Sequence, residues 1–306
     1  MIRFIAGKLG AVLVTLYLAL TGAFLLGRLS GDPVANILGP FATPEQAAAL
    51  RAQLGLDRPA LVQYLDYLKS IVVGDLGESL QFYRSNLGMI FDRLPYTLQL
   101  LGAGMALAIL LGVPLGVLAA TREGGVWDRT ASALAVLGQS VPVFWLGMML
   151  VAVFAVRLGL LPAGQAGGLR NLVLPALTMA MYPMAHIARL TRSTMAEVLR
   201  EPYIAAVRAR GLTGWRVVFV HALRNASPPV LTVVALQTGM LLSGAVAVEY
   251  VYSWPGLGSL ALQAIQFRDF PLVQAIVVVG AISFVVINLV ADLLYAVVDP
   301  RLRETP

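Results

Sequence analysis

Six stretches of nearly continuous apolar residues divide this sequence: about 9–29, 97–120, 133–156, 172–189, 229–249 and 273–297. A bilayer core of ~30 Å needs ~20 apolar residues as a helix, so each stretch predicts a membrane span. The fourth is short and carries Pro175, Pro183 and His186, which predicts a broken or kinked span whose freed carbonyls are satisfied by neighbours. The first follows Arg3 and Lys8. It ends without a small-x-small cleavage site, so it reads as a retained span and not a signal peptide. The prediction is an all-α integral membrane protein, a single transmembrane domain over residues 1–306 with six transmembrane helices.

Charge orients these spans. With six spans both termini lie on one face, and that face carries thirteen Lys and Arg. Seven of them, from Arg189 to Arg224, fall between spans four and five. The two short loops of the other face carry only Arg157, Arg170 and Arg268. By the positive-inside rule both termini are cytoplasmic. The segment at about 30–95 is then a large first extracytoplasmic loop with two helical patches. One starts at Thr43 as N-cap with Pro44 at N1. The other follows Asp57-Arg58-Pro59, with Leu61, Tyr64, Leu65 and Leu68 at helical spacing. Gly74-Asp75-Leu76-Gly77 reads as a turn.

Composition agrees: 58% of the residues are hydrophobic and 12% charged, about half the ~25% charged share of soluble domains. The pI near 9.8 is accounted for by the cytoplasmic arginines, which removes the reason to invoke nucleic acid. There is no cysteine, and the two histidines, His186 and His221, are far apart in sequence, so thiol chemistry is excluded and a His-rich metal site is not expected. No phosphate-binding G-x-x-x-x-G-K-[ST] and no H-E-x-x-H or G-x-S-x-G is present. The chain therefore reads as non-catalytic. Asn288 and Asp292 share a face of the last span, and Glu249 ends the fifth; an intramembrane acid can serve a proton or ion relay or simply pair with an arginine or the backbone. Gly112-x-x-x-Gly116 predicts close helix packing.

The segment between spans four and five is the most informative. Glu201-Pro202-Tyr203 starts a short helix and Gly211 ends it with φ > 0. Its small residues, with Arg208 and Arg210, suit either docking into a groove of another protein or lying on anionic lipid. Arg189-Leu-Thr-Arg-Ser193, Tyr203 through Leu212, and His221-Ala-Leu-Arg-Asn225 with Pro228-Pro229 resemble the signature of binding-protein-dependent ABC transporter permeases, and more narrowly the first permease subunit of the dipeptide/oligopeptide/nickel family. Gly31-Asp32-Pro33, Ala42-Thr-Pro-Glu-Gln46, Leu54-Gly-Leu-Asp57, Gly74-Asp-Leu-Gly77, Arg93-Leu-Pro95, Trp254-Pro-Gly-Leu-Gly258, Arg268-Asp269 and Asp299-Pro300-Arg301 follow in the family order. The general E-A-A-x-x-x-G loop motif is departed from: counted back from Gly211, its first positions are Ala205, Ala206 and Val207. The later I-x-L-P is also replaced, with His221 and Arg224 at its Ile and Pro positions.

The resemblance implies a cytoplasmic coupling helix seated in an ATPase cleft, through Glu201, Tyr203, Ala205, Ala206, Arg208 and Gly211. It implies four kinds of partner: a second homologous permease, two ATP-binding cassette subunits that hold the ATP and Mg²⁺, an extracytoplasmic substrate-binding protein, and membrane lipid. This chain itself would bind no cofactor. It would form half of a translocation path for peptides or a related solute in a bacterial or archaeal cytoplasmic membrane. Trp254, Pro255 and Gly256 would lie at the external mouth, where Trp254 either meets the binding protein or packs against the span ends. A secondary, ion-coupled carrier is the alternative; it would need inverted repeats and polar broken helices.

Overall fold

The computed structural model describes residues 2–29, 34, 38, 43–53 and 55–298. Gly31-Asp32-Pro33, Leu54, Asp299-Pro300-Arg301 and the side chain of Asp292 lie outside the described residues. Among the described residues every element is helical, apart from one antiparallel bridge between Glu78 and Ser85. The helices are α1 (Ile2–Leu29), α2 (Pro44–Gln53), α3 (Ala60–Val73), α4 (Asn86–Thr121), α5 (Val126–Ser140), α6 (Val143–Arg157), α7 (Leu169–Leu199), α8 (Pro202–Ala209), α9 (Gly214–Val251), α10 (Leu257–Gln266) and α11 (Phe270–Val298). Wider π-type turns occupy Val151–Arg157 and Val217–Ala222.

Within the described residues, three helices are long and apolar enough to cross a membrane: Asn86–Thr121, Gly214–Val251 and Phe270–Val290. A fourth arises if α5 and α6 together make one bent span.

Two compact units divide the chain, residues 1–95 with 259–285 and residues 96–258 with 286–306. In the first, α1 receives α3: Phe24 lies against Tyr64 and Tyr67 at centroid distances of 5.2 and 5.7 Å, and Thr21 Oγ1 shares a 2.7 Å hydrogen bond with the Tyr64 hydroxyl. Burial pushes the Tyr67 phenol up to about 12. The helix starts read in the sequence are present. Thr43 Oγ1 accepts from Gln46 N (3.3 Å) while Thr43 N donates to Gln46 Oε1 (3.1 Å), a reciprocal capping box. Gly74 closes α3 at φ 82, and Gly77 N donates to Asp75 Oδ1 at 2.9 Å. Of the predicted apolar face of α3, Leu61 and Leu65 are exposed, because Tyr64 and Tyr67 are the residues aimed at α1. The buried Asp269 carboxylate ties the 78–85 hairpin to the start of α11. It accepts from the Ser79 hydroxyl, from Gln81 N at 3.2 Å and from Leu272 N at 3.3 Å.

The second unit is built around α7. Its buried residues include Leu174, Pro175, Thr178, Met179, Pro183, Met184, Ile187 and Thr191. Gly104, Gly112 and Gly116 of α4 and Gly138 of α5 meet α7 closely: a Cβ on Gly112 would lie 2.9 Å from the Met184 carbonyl, and one on Gly116 2.6 Å from that of Ala188. The Gly112/Gly116 pair thus does what its spacing predicted.

Two expectations are corrected here. The fourth stretch is not broken: α7 runs unbroken for 31 residues through Pro175 and Pro183. Surrounding helices bury Pro175, Thr178, Pro183 and Thr191, so these residues are not presented to lipid. The break falls in the third stretch, where α5 and α6 meet at 110°. Val141, preceding Pro142, sits at φ −86, ψ 125, because a proline pushes its predecessor out of helical ψ. Pro142 also has no N–H to give the Gly138 carbonyl.

Candidate functional site

The α8 segment starts where α7 stops. Arg200 caps α7, Glu201 adopts φ −66, ψ 143, and Pro202 takes the first helical position. Eight residues are too few for a helix to stand alone, so its order comes from packing. Ile204 supplies that packing. It is 1% exposed, in a cluster with Val117, Ala120, Met195, Val217, Ala222 and Ala226, and Val207 and Leu212 pack against the same cluster. Burying one such side chain contributes about 1.5–3 kcal/mol. Glu201, Ala205, Ala206, Arg208, Ala209 and Arg210 all face outward. Tyr203 is 36% exposed; its hydroxyl accepts from Asn225 Nδ2 at 2.7 Å and lies 3.5 Å from the His221 carbonyl.

Gly211 sits at φ 78 with nothing within 4 Å of an added Cβ. The left-handed backbone expected from the sequence is there, and it alone disfavours a side chain. The anchoring role of Ile204 and the bond from Asn225 to Tyr203 were not foreseen from the sequence, although Asn225 closes the His221–Asn225 motif. The signal for the first was the 204/207 spacing of branched residues in an otherwise small-residue helix. For Asn225 the motif marked the residue, and only the fold shows its partner, Tyr203.

Ion pairs stiffen the neighbourhood. Arg192 grips Asp128 in a two-pronged pair, Nε to Oδ1 and Nη2 to Oδ2 at 2.9 Å. Gly124 N also donates to Asp128 Oδ2 at 2.9 Å. Arg200 reaches Glu123 at 2.9 Å on the exposed surface. The short segment between α4 and α5 is thereby fastened to the last turns of α7.

At the far end of α9 the chain turns back through Tyr252-Ser253-Trp254-Pro255-Gly256. Ser253 takes φ 48. Trp254 is 1% exposed; its indole Nε1 donates to the Tyr96 carbonyl at 3.0 Å, and its ring meets Tyr96 edge-on at 6.5 Å. Glu249 is fully buried beneath this turn. The Thr97 hydroxyl donates to Glu249 Oε1 at 2.7 Å and accepts from Leu257 N at 2.8 Å. Gly256 and Gly258 sit directly over the carboxylate. A Cβ on Gly258 would lie 2.6 Å from Val246 Cα and 3.0 Å from Glu249 Oε2. Tyr252 shares a 2.8 Å hydrogen bond with Thr178 and approaches the Gly147 carbonyl at 3.2 Å. Of the two readings of Trp254, the geometry matches packing within the chain; Ser253 and half-buried Pro255 are what the turn shows outward. Asn288 is half-buried on α11.

Comparison with known proteins agrees with this architecture. Residues 112–304 match the family described as binding-protein-dependent transport system inner membrane component, and residues 1–101 match its N-terminal companion. The dipeptide transport system permease protein DppB of Escherichia coli (strain K12) is 41% identical, with 99% of each chain covered. The di/tripeptide transport system permease protein DppB of Pseudomonas aeruginosa (strain UCBPP-PA14) is 39% identical, and the glutathione transport system permease protein GsiC of Salmonella choleraesuis (strain SC-B67) 40% identical, each over 99% of both chains. Among solved structures, an inward-facing MetNI methionine ABC transporter chain superposes with a TM-score of 0.59 at 21% identity, covering 69% of this chain and 96% of that one. The chain therefore has the fold of an ABC transporter permease and belongs to the family of inner membrane components of binding-protein-dependent transport systems.

Proposed function

We propose that this protein is the transmembrane permease subunit of an ABC importer for short peptides, contributing half of a translocation path. It crosses the bacterial inner membrane six times with both termini in the cytoplasm. It works with a second homologous permease, two ATP-binding cassette subunits that hold ATP and Mg²⁺, and an extracytoplasmic substrate-binding protein. The named relatives transport dipeptides, di- and tripeptides and glutathione, and a small peptide is their shared chemistry. The observation that carries the reading is α8: an eight-residue helix anchored by buried Ile204, with Ala205, Ala206 and Arg208 outward. Small exposed side chains beside a cation suit insertion into a cleft of a partner protein.

In mechanism, this chain is a lever and a conduit. ATPase closure moves α8, and its socket passes the displacement to α4, α7 and α9, whose residues form that socket. ATP thereby shifts the population between states with inward and outward access. Docking of the binding protein falls to the outward surface of the 252–256 turn and to the first external loop. No observation favours an ion-coupled carrier. Reconstitution with the partner subunits tests the reading: uptake of labelled dialanine should require ATP inside and binding protein outside. Uptake driven by an ion gradient without ATP would reject it. Impermeant labelling of cysteines placed at Arg51 and Arg208 in intact cells should modify the first and spare the second; the reverse pattern overturns the topology.

A further inference from the structure

Beside the break between α5 and α6 lies a cavity of about 310 Å³, lined by Ser132, Ala135, Gln139 and Ser140 from α5 and by Arg189 and Arg192 from α7. That volume is at the low end of the roughly 300–1,000 Å³ typical of small-molecule sites. Its two ends differ in charge. Arg192 is neutralised by Asp128, whereas Arg189 has no ion-pair partner among the described residues and is exposed. At the other end α5 stops at Ser140. Val141 N takes the Leu137 carbonyl at 3.0 Å, and Pro142 offers no N–H to Gly138. The last carbonyls of α5 are left with the negative end of the helix dipole, next to the Gln139 amide and the Ser140 hydroxyl. Interrupted backbone at membrane depth is tolerated where protein buries it or a wet cavity adjoins it.

From Arg189 the polar surface continues along one face of α7. Tyr182 and His186 meet as tilted rings with centroids 4.5 Å apart on one side, and Ser193 and Glu197 are accessible on the other. The cavity wall also carries Ala131, Ala135, Val136 and Ala188, so a polar solute finds its partners at Arg189, Gln139 and Ser140.

We propose that this cavity is a transient station for a small zwitterionic peptide, its carboxylate on the Arg189 guanidinium and its ammonium group toward Gln139, Ser140 and the carbonyl end of α5. The proposal rests on the peptide-permease reading above. A zwitterionic phospholipid headgroup carries the same pair of charges, so the test separates the two.

The complete transporter, free of binding protein, is placed in phosphatidylglycerol nanodiscs and probed by saturation-transfer NMR with dialanine and with dialanine amide. Dialanine should show contact and the amide much less. Arg189→Gln should weaken dialanine binding by roughly tenfold, the loss of one charge-assisted contact, and Arg189→Lys should restore part. In proteoliposomes with binding protein, Arg189→Gln should slow dialanine uptake while binding-protein-stimulated ATP hydrolysis persists. No dialanine signal, equal signals from peptide and amide, or wild-type uptake in Arg189→Gln would each overturn the site. Loss of the signal on adding phosphatidylethanolamine would assign the cavity to lipid and overturn it too. Failure of the wild-type transporter to take up any dipeptide is a different result, because it rejects the peptide reading itself.

Discussion

At the Gly214 end of α9 a short helix is held by one buried isoleucine and turns small residues outward; at the Val251 end the chain folds back over a buried glutamate with its tryptophan inside. The 38 residues of α9 separate the two by about 57 Å at 1.5 Å per residue, more than a bilayer core. The two segments carry much of the family resemblance, yet their side chains do opposite work. Around Trp254 the groups satisfy one another: indole to Tyr96, Thr97 to Glu249, glycines over the carboxylate. Around α8 the internal contacts are the Ile204 socket and the Tyr203–Asn225 bond, while Ala205, Ala206 and Arg208 stay exposed. A signature motif can therefore mark a closed joint as readily as a contact surface, and burial distinguishes them.

The largest effect is expected at the closed joint. Gly258→Ala puts a methyl group 2.6 Å from Val246 Cα and 3.0 Å from a buried carboxylate oxygen, and backbone cannot yield as a flexible side chain would. Overpacking of this kind costs about 1–3 kcal/mol or more, so the variant should aggregate or melt well below wild type in detergent. Trp254→Ala leaves a cavity worth about 3–5 kcal/mol and removes the indole bond to the Tyr96 carbonyl. Its thermal midpoint should fall strongly. An unchanged midpoint with lost stimulation by the binding protein would move Trp254 from the joint to the docking surface.

At the α8 end the sign of the outcome reverses, with fold kept and coupling lost. A Cβ on Gly211 would have no atom within 4 Å, so the main cost of Gly211→Val is the left-handed backbone, roughly 1–2 kcal/mol for a residue with a Cβ, and that locally. Membrane insertion and melting should match wild type, while ATPase subunits copurify poorly or hydrolyse without responding to the binding protein. Gly211→Asn, which tolerates φ > 0, should retain much of the coupling. A lipid-surface helix would instead lose function with Arg208→Glu and keep it with Gly211→Val. Ile204→Ala should uncouple as Gly211→Val does but also lower the thermal midpoint, since emptying the socket costs about 2–5 kcal/mol and frees the helix. Full coupling in Ile204→Ala would show that the anchor is dispensable.

How much of this was legible in the sequence depends on whether the cause is local. The capping box at Thr43, the Gly74 turn, the Pro202 start and the Gly211 stop are set by residues within a few positions, and all were readable. The Gly112/Gly116 contact was readable because helical spacing fixes it. The α5–α6 break was local too, at Gly138-Gln139-Ser140-Val141-Pro142, but the apolar residues farther out on both sides masked it. The continuity of α7 was not readable, because what shields its prolines and polar residues comes from α4, α5 and α9. The same holds for Trp254: its burial depends on Tyr96, Thr97 and Glu249, more than 150 positions away for the first two, and the local Trp-Pro-Gly pattern fits an exposed hairpin equally well. Asn225 belongs in this class.

The smallest predicted effect tests whether Tyr203 belongs to the joint or to the surface. Its hydroxyl accepts from Asn225 at 2.7 Å, yet its ring is 36% exposed. Tyr203→Phe removes the hydroxyl and keeps the ring. If the bond to Asn225 only steadies the helix, the loss is about 0.5–1.5 kcal/mol, because Asn225 is exposed and water can replace the lost partner. Stimulated hydrolysis should then fall by no more than a few-fold, with ATPase copurification intact. Asn225→Ala should reproduce that result, since it breaks the same bond from the other side, and the double variant should be no worse than either single one. Should Tyr203→Phe abolish coupling while Asn225→Ala is neutral, the hydroxyl is serving the ATPase cleft directly. Tyr203 would then move from the anchoring side of α8 to its contact face, beside Ala206.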